Sequence, residues 1–146
     1  MQTKIATPFV PISWGELVDK ITILEIKELK INAMIANENI KKELKYLLDV
    51  AHVNNMPKEI ESLKSELKNV NLKLWKIEDD IREKELAGEF DEVFIQLARS
   101  VYQFNDIRAK IKQSINLLLR SELMEEKSYK SFEFKGQSEG GGQVSH

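Results

Sequence analysis

Apolar residues along this chain recur at intervals of three and four almost throughout, the spacing of helices that turn one side inward. The sharpest start signal is at Ser13, an N-cap residue with Glu16 three positions on, which together make a capping box. Ile12 before the cap and Leu17 inside the first turn are spaced as a hydrophobic staple, and Pro11 closes the extended stretch that precedes it. A helix is therefore predicted from Trp14. Leu29, Ala33, Ala36, Ile40, Leu44, Leu47 and Ala51 carry the spacing through the polar Asn37-Glu38-Asn39, so the pattern predicts one long helix to about Val53. Asn54-Asn55-Met56-Pro57 is a turn. Beyond it Ile60, Leu63, Leu67, Val70, Leu74, Ile77 and Ile81 form an unbroken heptad seam, and Gly88 is suited to a left-handed helix cap. A third helix is predicted from about Asp91 to Arg120, with Phe94, Leu97, Val101, Phe104, Ile111, Ile115 and Leu119 inward. Residues 121–135 are left open: Ser121–Lys127 suits another helical turn, and Tyr129–Lys135 alternates like a strand.

The short links at 54–57 and 87–90 make successive helices antiparallel. The expected fold is all-α, an elongated, coiled-coil-like antiparallel three-helix bundle with a long N-terminal helix. Residues 1–135 form a single helical domain, and 136–146, with Gly136, Gly140, Gly141 and Gly142, form a flexible Gly/Ser-rich tail. From Leu17 to Ala36 twelve of twenty positions are apolar and point to several sides of the axis. Two partner helices in the same chain cannot easily cover them all, so self-association through this region is expected.

Composition narrows the function classes. The chain has 146 residues, 42% hydrophobic and 32% charged, enough to bury a core without disulfide or metal staples. Lys plus Arg is 22 against 24 Asp plus Glu, and the five acids and three bases beyond residue 120 leave 19 of each sign in 1–120. A neutral body with mixed signs argues against nucleic acid and against an anionic membrane surface. No stretch reaches the length of a membrane-spanning helix, and the uncharged Ile5–Gly15 segment contains Pro8 and Pro11 and has no cleavage pattern, so a cytoplasmic location is expected. There is no cysteine, and His52 and His146 are the only histidines, so neither a metal centre nor a cofactor is expected. The acidic run Glu78-Asp79-Asp80 lacks the spacing and glycine of a calcium loop, and no serine or threonine has a histidine beside it for a hydrolase triad.

The candidate chemistry lies in polar residues on apolar faces. At 100° per residue, Arg108 falls in the middle of the third helix's apolar stripe, Lys112 points with Phe94, and Asn105 and Asn116 sit at its edge. Buried charges need partners. One reading is an anion site in which Arg108, Lys112 and Asn105 hold a ligand. The other, favoured, is a structural polar layer paired with carboxylates of neighbouring helices. On the second helix Asn71, Trp75, Glu78 and Arg82 form a strip beside the seam, either a solvated flank with a Glu78–Arg82 pair or a pocket wall, and Glu85 takes a seam position. On the first helix Glu25, near Thr22 and Asn32, is either a buried carboxyl with a raised pKa or the partner of a basic residue on the next helix.

Three separated stretches carry a family resemblance: PISWGELVDKITILEIK at 11–27, LWKIEDDIRE at 74–83, and LARSVY at 97–102 with NDIRAKIK at 105–112 and EEKSY at 125–129. In this order they resemble a family of small bacterial and phage proteins classed as a domain of unknown function. Trp14 stands where that pattern has a proline. The resemblance implies a homologous set and no assigned activity, so it transfers no catalytic role.

The expected function is that of a non-catalytic helical interaction protein, homo-oligomeric, with no cofactor. The alternative is a helical enzyme or binding protein for a small anionic metabolite, using Arg108 and Lys112 with Glu25 or Glu78. A carboxylate already bonded to Arg108 favours the first.

Overall fold

The structure, a computed structural model, describes residues 2–128. It is all-α among these residues, with four helices and no strand: α1 (Trp14–Lys30), α2 (Met34–Val53), α3 (Glu59–Ala87) and α4 (Glu92–Leu118). The expected three-helix bundle is thus corrected to four helices, because the long N-terminal helix divides at 31–33. Ile31 and Ala33 both take extended backbone, and Asn37 in the first turn of α2 reaches back to donate to the carbonyls of Glu28 and Ile31 at 3.4 and 3.2 Å. The polar residue that interrupts the pattern therefore caps α1 from four positions beyond the break itself. The division lets α2 fold back so that Ile40 and Leu44 are buried with Leu17, Ile21 and Leu24. A straight helix would leave both side chains in water, and burying each stabilises by about 1.5–3 kcal/mol. Three-and-four spacing is the same in one helix and in two packed ones, so periodicity could not separate them.

The start of α1 is as predicted. Ser13 is the N-cap, its hydroxyl accepting from the Glu16 amide at 3.1 Å. The α3 seam is also realised, with Leu67 fully buried and Ile60, Val70 and Ile77 close to it, and Gly88 ends the helix at φ 66°. Asp91 caps α4 through the Phe94 amide at 3.0 Å. α3 and α4 form the largest helix pair. Among the described residues α1 contacts each of the other three helices, whereas α2 packs against α1 alone. The several apolar sides of α1 are accordingly met within the chain. Leu17, Ile21 and Leu24 face α2, while Val18 joins Ile60, Leu67, Ile111 and Ile115 in the second core cluster.

After α4 the chain is irregular from Ser121 to Ser128, so the helical turn considered for Ser121–Lys127 does not form. Arg120, at φ 51°, takes the left-handed position that ends α4, and the Ser121 amide bonds the Asn116 carbonyl at 2.8 Å. This turn directs 121–128 back across the N-terminus of α1. Tyr129–Lys135 and the 136–146 tail lie outside the described residues. No helix among the described residues is long and apolar enough to cross a membrane.

Candidate functional site

The polar residues of α4 converge on one side of α1, and at the centre is Asp19, a carboxylate with no exposed surface. Arg108 grips it with two groups: Nε donates to Oδ1 at 3.0 Å and Nη2 donates to Oδ2. Asn71 Nδ2, from α3, donates to the same Oδ1 at 2.9 Å and to Thr22 Oγ1 at 2.9 Å, while the Thr22 hydroxyl donates to the Asp19 carbonyl at 2.8 Å. Arg108 Nη1 makes a long contact of 3.4 Å with Asn105 Oδ1. The bond to Asp19 raises the Arg108 pKa further above its ordinary value, outweighing the opposing effect of burial. One layer thus ties α1, α3 and α4 together through a neutralised pair.

A second layer lies one turn nearer the start of α1. Lys112 donates to Glu16 at 2.6 Å and stands 3.8 Å from Asp19 Oδ2. Asn116, almost fully buried, accepts from the Gly15 amide at 2.6 Å and donates to Glu125 at 2.8 Å. Ser13 donates its hydroxyl to the other oxygen of Glu125, and Ser121 accepts from the Trp14 amide at 3.1 Å. The first three amides of α1, free in any helix, are therefore all satisfied, two of them from the far end of the chain. Gly15 makes the close approach possible: a β-carbon there would lie 2.6 Å from the Lys112 carbonyl oxygen.

Every candidate from the sequence can now be placed. Arg108, Lys112 and Asn105 do lie together, and Arg108 is bonded to a carboxylate of the neighbouring helix. Glu25 is not a carboxyl of raised pKa. Burial pushes it up, but hydrogen bonds and charge from Lys68 at 2.9 Å and Lys64 at 3.0 Å outweigh that and lower it. Glu78 and Arg82 form the i,i+4 pair at 2.9 Å on the surface, and both border a cleft with Trp75 and Arg108. Glu85 is exposed, because the seam has run out at that point. Sequence reasoning missed Asp19, Gly15 and Glu125. A signal for the first two existed: Gly15, Asp19 and Thr22 follow a four-three spacing, a seam of small and polar residues along the start of α1. Among the described residues no three acidic or histidine side chains are grouped as a metal ion would need.

Glu125 likewise has a lowered pKa. Burial opposes the shift, and the Ser13 and Asn116 hydrogen bonds with the nearby Lys112 charge overcome it. Both Glu25 and Glu125 are thus stronger acids folded than unfolded. Their stabilisation is full above the ordinary value of 4.5 and is lost as pH falls through the lower folded-state value. Urea midpoints measured from pH 7 down to pH 3 are expected to fall below about pH 4.5. The double variant Glu25→Gln, Glu125→Gln should be less stable at pH 7 and show a flatter acid limb. Parallel limbs in the two proteins would refute this.

Four helices locked by a buried ion pair and a strapped N-terminus define a small all-α protein whose polar interior is largely paired within itself. Over residues 9–136 the chain matches the model of the "Family of unknown function (DUF6165)", and it belongs to that family. No curated protein and no solved structure matches it.

Proposed function

We propose that this chain is a cytoplasmic, non-catalytic interaction protein that pairs with a second copy of itself. One observation carries the reading: large apolar side chains stand exposed together around a groove of about 590 Å³ between the N-terminal arm, the start of α1 and α2. In the arm, Ile5 is 89% and Phe9 88% exposed, and on the facing helix Tyr46 is 61% exposed. Ile35, Tyr46, Val50 and Val53 recur on the side of α2 away from Ile40 and Leu44, so this helix has a second apolar stripe with no helix among the described residues packed against it. Exposed apolar patches of this extent mark interaction surfaces.

The second copy is favoured because the same face offers both halves of a contact. The arm is an extended apolar segment, uncharged from Ile5 to Ile12 and stiffened by Pro8 and Pro11, and among the described residues it makes no backbone hydrogen bond. The groove is apolar, with Trp14, Leu17 and Leu47 in its lining and one charge of each sign, Lys20 and Glu43. A twofold axis lays each arm in the other copy's groove. Ile5, Phe9, Val10, Tyr46 and Val50 alone expose on the order of 700 Å², close to the roughly 800 Å² per partner of a stable interface. This contact surface differs from the Leu17–Ala36 region expected from the sequence, much of which is covered within the chain.

Light scattering on the eluting protein at micromolar concentration should give twice the 16.9 kDa chain mass. Phe9→Asp with Tyr46→Lys should give the single mass with unchanged helix content. A single mass for the unmodified chain would overturn the proposal.

A further inference from the structure

Between α1, α3 and α4, beside the Asp19–Arg108 pair, lies an open cleft of about 450 Å³. Its walls are apolar, with Ile26 and Leu74 near the indole of Trp75. Asn71, only 6% exposed, lines it. The orientation of that amide is dictated by its surroundings. Asp19 Oδ1 can only accept, and Thr22 Oγ1 has already given its proton to the Asp19 carbonyl, so both require the Nδ2 side of Asn71. Oδ1 is left over, and among the described residues it accepts no hydrogen bond. The cleft is the space left for it to face.

Arg108 supplies the complementary group. Of its five N–H bonds, Nε and one on Nη2 go to Asp19 and one on Nη1 to Asn105, which leaves two unused where the side chain borders the cleft. Arg108 Nε and Asn71 Nδ2 bond the same Asp19 oxygen, at 3.0 and 2.9 Å, so the spare donors and the spare acceptor lie within the reach of one small molecule. Charge then selects against anions. Asp19 neutralises Arg108 and Glu78 neutralises Arg82, so Asp79 on the rim leaves three carboxylates against two guanidinium groups.

We propose that this cleft binds a planar, uncharged lactam heterocycle, of the kind found in a nucleobase or its nucleoside. Its carbonyl accepts from Arg108, its ring N–H donates to Asn71 Oδ1, and its face lies on Trp75. A hydrogen-bonding pair of this polarity selects bases with a ring N–H beside a carbonyl, and the net negative rim disfavours the phosphorylated forms.

The test is titration of the labelled full chain with uridine and with inosine, following the Trp75 indole N–H resonance, assigned by its absence in Trp75→Phe. A saturable shift below about 10 mM is expected for both. Cytidine and adenosine, which lack the ring N–H beside a carbonyl, should bind at least tenfold more weakly. Trp75→Ala, followed instead at the Asn71 side-chain amide resonance, should weaken uridine about tenfold or more, in keeping with the loss of a stacking platform, with helix content unchanged. Asp79→Lys, on the exposed rim, should raise the affinity for uridine monophosphate relative to that for uridine. No saturable shift with either nucleoside would overturn the proposal. So would equal response to cytidine and adenosine, or tighter binding of the monophosphates by the unmodified chain.

Discussion

Arg108→Met should lower the free energy of unfolding by about 3–5 kcal/mol, a large part of the stability of a domain this size. Asp19 is fully buried, and its charge is held chiefly by the two guanidinium bonds from Arg108. Without them it keeps only the Asn71 amide and Lys112, which stands 3.8 Å away and already serves Glu16. A carboxylate cannot remain ionised in such a place without cost. Replacing both partners, Asp19→Leu with Arg108→Met, should recover most of the loss, because an apolar pair of similar volume carries no desolvation penalty. Recovery should stop about 1 kcal/mol short, since Asn71 then keeps Thr22 as its acceptor and loses the carboxylate. Urea unfolding at neutral pH, with slopes compared to exclude a change of unfolded state, measures all three proteins. An Arg108 held free for an anion would respond in the opposite sense: Arg108→Met would relieve its repulsion with Lys112 and stabilise the chain.

The second large effect is expected at Gly15. In an exposed helix, glycine to alanine stabilises by up to about 1 kcal/mol. Here Gly15→Ala should destabilise by about 2–3 kcal/mol net. The new methyl would meet the Lys112 carbonyl oxygen at 2.6 Å and Asn116 Oδ1 at 2.9 Å. The first is hydrogen-bonding backbone within α4 and yields only if the helix itself moves. The second belongs to a side chain that bonds both the Gly15 amide and Glu125, so its displacement releases the strap as well. The urea midpoint should fall, and the side-chain amide signal of Asn116 should lose its protection from exchange. A stabilised Gly15→Ala would show that α1 and α4 stand further apart than described.

Much of the candidate site was visible from residue types alone. Arg108, Lys112 and Asn105 declare themselves because a charge or amide on an apolar stripe has to be answered. What answers them does not show. Asp19 lies 89 residues from Arg108, and Glu125 lies 112 from Ser13. Glu25 was the acid that stood out on the same helix, yet two lysines of α3 hold it part-exposed on another side.

The sequence by itself determined that the chain is helical, the capping of α1 at Ser13, the α3 seam and the glycine that closes it, because each depends on contacts within about one turn of the chain. Only the tertiary structure decided where α1 ends. Its break at 31–33 has neither proline nor glycine, and the return of α2 onto Leu17, Ile21 and Leu24 stabilises it over the straight alternative. Tertiary structure alone also decided that α1 is the central helix, and that Asp19 is the acid bonded to Arg108. It likewise left α2 with an apolar side that no helix among the described residues covers. Those outcomes depend on which helix faces arrive together after the chain has turned three times. Local spacing is the same for every such arrangement, so packing and the pairing of buried charge select among them.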